Sequence, residues 1–267
     1  MITVASLAPY LGGALVLGGV AVAASRRREL LIRWCAWAVG VPLVTAAFWW
    51  GRPGTAVLAL VVGVIAVLEF GGLVGLGRAD QVVLAAAVVS VVLAAWLAPG
   101  QVVRVAGVGA LAVAAVPLLA GDAEHGLRRL GAGLLGLAWL SLPAALVPLG
   151  ASALALFVAV SIADIVAYFA GRRLGGPRLS PLSPAKRWSG TLAGAAAGLA
   201  VLAVLSSLSW PMAIAVAVGG PAGDLLESMV KRGVRTKDAG RWLPGSGGLL
   251  DRIDSLLVAL AVLLVLR

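Results

Sequence analysis

Residues 223–255 read GDLLESMVKRGVRTKDAGRWLPGSGGLLDRIDS. Five of the chain's eleven acidic residues stand in this stretch: Asp224, Glu227, Asp238, Asp251 and Asp254. Basic residues are interleaved with them, and apolar segments flank the stretch on both sides. A charged side chain at mid-bilayer costs about 2.5–3.5 kcal/mol on insertion scales, so acids at or inside the ends of apolar segments mark functional sites by default. The flanks therefore point to membrane spans, and the charged centre points to a site at one membrane face.

Composition agrees with that reading. Of 267 residues, 61% are hydrophobic and only 12% charged, whereas a soluble domain is about half apolar and about a quarter charged. The chain reads as an all-α, polytopic transmembrane helical bundle forming one membrane domain, since no polar stretch is long enough for a soluble one. A span needs about 20 apolar residues. About ten candidates follow, over 7–24, 35–50, 54–76, 81–98, 102–120, 131–149, 151–170, 190–208, 210–230 and 249–266. The first is expected to be retained as a helix, because Met1–Tyr10 has no basic residue and the basic run Ser25–Arg28 follows the apolar stretch. The weakest boundary is Leu149–Gly150. Pro42, Pro117 and Pro143 are expected to kink helices, and Trp34, Trp37, Trp49, Trp50, Trp96 and Trp210 to form an interfacial belt. The 35 glycines suit close helix packing.

The net charge of +10 does not require nucleic acid, because loops on the cytoplasmic side collect Lys and Arg. With both termini outside, 18 of the 21 basic residues fall on inner loops, leaving Arg52, Arg104 and Arg267 outside. Such loops can also hold an anionic headgroup or a nucleotide. One cysteine, Cys35, excludes an internal disulfide and a cysteine metal cluster, and one histidine, His125, excludes a multi-histidine site. A metal would be held by oxygen, which points to Mg²⁺ or another hard cation.

Two inner loops are long and rich in chemistry, Gly171–Trp188 and Lys231–Gly248. Before the second, Asp224, Glu227, Ser228 and Lys231 lie on one helical face. A Glu227–Lys231 ion pair is the plain reading of part of it, but Asp224 has no basic residue one turn away. Asp251 and Asp254 open the last helix, where the helix dipole alone favours acids. The two acidic helix ends also make a candidate divalent-metal site. Between them PGSGG, residues 244–248, lets the backbone turn sharply or approach a phosphate. Lys231, Arg232, Lys237 and Arg241 either neutralise polyphosphate or anchor the loop. Upstream, Asp164 sits inside an apolar helix one turn before Tyr168, either as a buried hydrogen-bonded acid or as a site residue. Ser180–Pro181 and Ser183–Pro184 then form an extended, turn-rich lead into Lys186, Arg187 and Trp188. Glu69 is a further acid at the inner end of the third helix.

Taken together, GDLLESMVKR followed by KDAGRWLPGSGGLLDRIDS resembles the C-terminal signature of the phosphatidate cytidylyltransferase (CDP-diacylglycerol synthase) family. ADIVAYFAGRRLGG with LSPLSPAKRWSG resembles the family's upstream block. The resemblance covers about residues 30–267, with weak matches at Arg33 and Glu69. It implies two parts: an added transmembrane helix and basic loop over 1–29, and a cytidylyltransferase-like membrane domain over 30–267, catalytic over about 151–267.

The implied reaction is attack of a phosphatidate phosphate on the α-phosphorus of CTP, with pyrophosphate leaving. By resemblance Asp224 and Asp251 are metal ligands, for Mg²⁺ and a second cation if one is used. Asp164, Lys231, Arg232, Lys237, Asp238, Arg252 and Asp254 are catalytic. Ser183, Pro184, Lys186, Gly247 and Gly248 bind the nucleotide. The partners implied are CTP, phosphatidic acid and membrane lipids, with a homodimer allowed and no nucleic acid. The location implied is a bacterial cytoplasmic membrane with the active site facing the cytoplasm.

Three departures from the family pattern stand out. Ser246 replaces the histidine of PGHGG and cannot titrate near neutrality. Arg187 and Ser189 replace Thr and Glu in SPKKTWEG, and the segment between the Ser-Pro pairs is short. Alternatives are another acceptor lipid, a weakened paralogue, or an ion-coupled transporter using Asp164, Asp224 and Glu69.

Overall fold

The computed structural model describes residues 3–25, 28–236 and 247–267. Its helices follow the apolar windows in order: α1 (Val4–Ser25), α2 (Arg28–Trp49), α3 (Arg52–Val74), α4 (Arg78–Leu97) and, after a 3₁₀ turn, α5 (Val102–Leu119). Next come α6 (Gly126–Leu140) and α7 (Leu146–Leu149), joined by the 3₁₀ turn Leu142–Ala145, then α8 (Ala151–Leu174). A hairpin of β1 (Arg178–Ser180) and β2 (Ser183–Arg187) leads into α9 (Trp188–Val204). The chain ends with α10 (Trp210–Ile214), a π-helical turn Ala215–Gly219, α11 (Gly220–Gly233) and α12 (Leu250–Leu266).

All ten expected spans fall on these helices. Seven segments among the described residues are long and apolar enough to cross a membrane. The apolar parts of α2 and α9 are shorter, and the 17-residue α12 begins with Asp251, Arg252 and Asp254. The Leu149–Gly150 boundary is real, because Gly150 turns the chain at φ 52°. Pro143 does not kink a long helix but sits in the 3₁₀ turn between α6 and α7. The Ser-Pro segment forms a short antiparallel hairpin in which Arg178 pairs with Arg187 and Ser180 with Ser183.

Helix ends gather on two faces. At one, Arg52 opens α3 and donates to the Trp96 carbonyl at the end of α4, 3.2 Å away. At the other, Arg128 on α6 donates to the Val74 carbonyl ending α3, at 3.3 Å. Its neighbour Arg129 donates to both oxygens of buried Asp80 at 3.0 Å each and to Asp122 at 2.8 Å. That hydrogen bond holds the Asp122 carboxyl below the usual range. The loop between α8 and α9 and the junction of α11 with α12 lie on this second face.

Small residues set how closely the helices approach. Along α9, Gly190, Gly194 and Gly198 recur every four residues against the Ala167, Ala163 and Ala159 carbonyls of α8. The pairing runs in opposite directions, so the two helices are antiparallel and nearly touch through their backbones. A β-carbon on Gly194 would stand 2.5 Å from the Ala163 oxygen. In a bilayer, where lipid tails are as apolar as leucine, such close backbone packing is a main source of helix association. We predict that Gly194→Val lowers the melting temperature in detergent, at the roughly 1–3 kcal/mol typical of overpacking. Gly107→Val leaves it unchanged, because a β-carbon there meets nothing within 4 Å. Equal melting temperatures for the two variants would contradict this packing.

Candidate active site

A cavity of about 730 Å³ lies where α8, β2, α11 and α12 converge. Each element contributes a charged side chain for a local reason. The C-terminal half of α8 turns Asp164 and Tyr168, one turn apart, toward the cavity. The hairpin brings Ser183 and Lys186 over it. Arg187 donates to the Gly176 carbonyl at 3.1 Å and the Ser189 hydroxyl to the Gly175 carbonyl. The two residues that depart from the family block thus brace the hairpin against the end of α8.

The π-helical turn and α11 meet α12 through glycine. A β-carbon on Gly219 would lie 2.7 Å from the Ala259 Cα, and one on Gly223 would collide with the Asp254 carbonyl oxygen. The close approach puts Asp224 and Glu227 beside Asp251 and Asp254. Asp254 is buried, 5% exposed, with Asp224, Glu227 and Asp164 as electrostatic neighbours. An isolated buried carboxylate costs several kcal/mol to desolvate, so a cluster needs cations. Two lysines supply them. Lys231 Nζ contacts Glu227 at 2.5 Å within α11 and Asp251 at 2.8 Å across to α12. Lys186 pairs with Asp224, the acid for which the sequence offers no helical partner.

The glycines before α12 have local tasks. Gly247 adopts φ 78°, and its missing side chain leaves room for the Asp251 carboxylate. Gly248 donates its N–H to Asp251 Oδ2 at 2.7 Å. The Glu69 carboxylate of α3 accepts the Leu249 and Leu250 N–H groups at 2.8 and 2.7 Å.

Of the residues singled out in the sequence, Asp164, Ser183, Lys186, Asp224, Asp251, Arg252 and Asp254 line the cavity. Lys231 joins them through its ion pairs. Pro184 and Arg232 stand exposed, on β2 and at the end of α11. Lys237, Asp238, Arg241 and Ser246 lie outside the described residues. Neither the acid partner of Lys186 nor the backbone contact of Glu69 is visible in local sequence, because both lie far off in the chain.

The donor set suits a hard cation. Asp164, Asp224, Glu227, Asp251 and Asp254 offer only oxygen. Buried Glu227 Oε1 has no hydrogen-bond partner among the described residues. Two lysines face these five carboxylates. Among the described residues no three acids, histidines or cysteines converge as a ready ligand set. The lysines hold the carboxylates that a cation would share.

Beside this cavity runs an apolar groove of about 260 Å³ between α2, α3 and α12. Val41, Val44 and Phe48 line one side, and Leu256 and Leu260 another. Trp37 and Arg252 border both spaces.

Known proteins share stretches of this sequence. The chain is 48% identical over 117 residues to a phosphatidate cytidylyltransferase of Brucella abortus (strain 2308), covering 40% of this chain and 43% of that protein. It is 40% identical over 108 residues to chloroplastic phosphatidate cytidylyltransferase 4 of Arabidopsis thaliana, covering 37% and 28%. It is 39% identical over 114 residues to a phosphatidate cytidylyltransferase of Helicobacter pylori (strain ATCC 700392 / 26695), covering 38% and 41%. The matches thus span less than half the length of these relatives. The sequence model of the cytidylyltransferase family, in contrast, matches residues 31–267, most of the length and all of the cavity, and the chain belongs to that family.

Proposed function

We propose that this multi-pass membrane protein transfers a cytidylyl group from CTP to phosphatidic acid, releasing pyrophosphate and leaving CDP-diacylglycerol in the membrane. The observation that carries the reading is a pair of adjacent spaces with two chemistries. A carboxylate- and cation-lined cavity lies beside an apolar groove, and Arg252 and Trp37 form part of the wall of both. A polar nucleotide and an acylated phosphate need such a pair of compartments, and the relatives' names supply the lipid.

A phosphatidate oxygen attacks the α-phosphorus of CTP. A new P–O bond forms, the bond between the α-phosphorus and its bridging oxygen to the β-phosphate breaks, and the electron pair leaves with pyrophosphate. Both reactants are anions, so positioning and charge neutralisation dominate the barrier. Lys186 and Arg252 face the cavity and draw the phosphates in, with Lys231 at its edge. The attacking phosphate is already ionised, so it needs no strong general base. Asp224 and Asp251 would hold Mg²⁺, with Asp164 and Asp254 beside them. The metal supplies Lewis-acid neutralisation of the phosphates when bound. Ser183 and Pro184 of the hairpin lie on the nucleotide side, and Lys237 and Asp238 keep the catalytic roles that the family resemblance implies.

The site faces the cytoplasm of a bacterial cytoplasmic membrane, where CTP is available, and the positive-inside tally puts the same face inward. Residues 30–267 carry the reaction and α1 is an addition. Of the described cavity-lining residues, Trp37 alone comes from outside 151–267.

Purified protein with CTP, phosphatidic acid and Mg²⁺ is expected to release pyrophosphate. Asp251→Asn should cut kcat by roughly 10²–10³-fold, the scale for losing one electrostatic contact to a charged transition state. Full activity in that variant, or no lipid-dependent release by the parent, would overturn the assignment. Leu256→Trp, which fills the groove, should raise KM for long-chain phosphatidic acid while leaving KM for CTP unchanged. A matching rise for both substrates would show that the groove does not hold the acyl chains.

A further inference from the structure

We infer that Glu69 is a positioning residue of this site: through the first turn of α12 it sets where Asp251 and Asp254 stand. The inference rests on the reading that the α12 carboxylates serve the transfer reaction. Glu69 belongs to the other half of the molecule, 180 residues from its partners. It is buried, 5% exposed, and forms no ion pair among the described residues. Its two oxygens instead receive one N–H each, from Leu249 at 2.8 Å and Leu250 at 2.7 Å. The first N–H groups of a helix have no partner within it, and the helix dipole makes that end positive. The N-cap residue Leu249 has no side-chain acceptor to offer these N–H groups. Glu69 supplies one from outside.

The neighbouring contacts show what depends on this. Gly248 packs so closely that a β-carbon there would stand 2.6 Å from Glu69 Oε2. The Gly248 N–H, next in line, donates to Asp251 Oδ2, while Asp251 Oδ1 takes Lys231. The adjacent N–H groups are thus divided between Glu69 and Asp251, and the Asp251 rotamer is referenced to a backbone that Glu69 holds. Asp254 lies one turn further along the same helix. Groups that orient metal- or substrate-facing carboxylates typically matter by about 10–100-fold when altered.

The test is Glu69→Gln, which keeps the size but turns one acceptor into an amide donor facing an N–H. Glu69→Asp, which keeps both acceptors on a shorter stem, is its partner. With folded protein verified by melting temperature and gel filtration, Glu69→Gln should lower kcat about 10–100-fold and raise the Mg²⁺ concentration for half-activation. KM for phosphatidic acid should stay unchanged, and Glu69→Asp should recover part of kcat. Amide hydrogen exchange over residues 249–255 should speed up in Glu69→Gln, and this readout does not need turnover. Parent-like kcat and exchange in Glu69→Gln would overturn the positioning role. So would a rise in KM alone, which marks direct substrate contact. An inactive parent whose exchange still responds to Glu69→Gln would refute the reaction assigned above while leaving the tether intact.

Discussion

Lys231 joins two helices by charge. One ammonium group, near the end of α11, contacts Glu227 in its own helix and Asp251 in the next. In an apolar bundle this constraint governs the rest. Carboxylates brought together away from water repel one another and lose solvation, so their cluster exists only where cations are fixed among them. Lys186 repeats the arrangement on the other flank, reaching Asp224 from the β-hairpin. Neither lysine acts alone, because each is positioned by a different piece of backbone. The hairpin is braced by Arg187 and Ser189, and α11 is pressed against α12 by Gly219 and Gly223.

The packing of small residues and the chemistry are therefore one design. Glycine at 190, 194 and 198 lets α9 lie on α8, which fixes the hairpin above Asp164. Glycine at 219 and 223 lets the acidic face of α11 reach the acidic start of α12. Larger residues there would widen the helix spacing and part the carboxylates from their lysines. The apolar groove adds the membrane's side of the arrangement: leucine, valine and phenylalanine line it, Arg252 borders it, and in the proposed reaction it would take the chains of the lipid acceptor.

Much of this was legible in the chain itself. Helix positions follow from apolar windows of bilayer length, and the ten windows coincide with the observed helices. Acids such as Asp164 and Asp224 announce themselves by their cost in an apolar segment, and both line the cavity. Other features were hidden because they depend on tertiary approach. The partner of Asp224 lies on a hairpin 38 residues upstream in the chain. Glu69 reads in sequence as one more acid near a helix end, and only the fold shows the backbone it caps. Gly247 and Gly248 suggest a phosphate loop, whereas in the structure their missing side chains admit the carboxylates of Asp251 and Glu69. Local pattern tells which residue types are unusual, but it does not tell which distant group they meet.

In the proposed reaction the carboxylates of α8, α11 and α12, balanced here by two lysines, would form a site for a divalent cation. Titrating Mn²⁺ into the purified protein and following the free ion by electron paramagnetic resonance tests it most directly, independently of turnover. Saturable binding is expected in the parent, strengthened by CTP and lost in the double variant Asp224→Asn/Asp251→Asn. Equal Mn²⁺ uptake by parent and double variant, or none by the parent with CTP present, would contradict it.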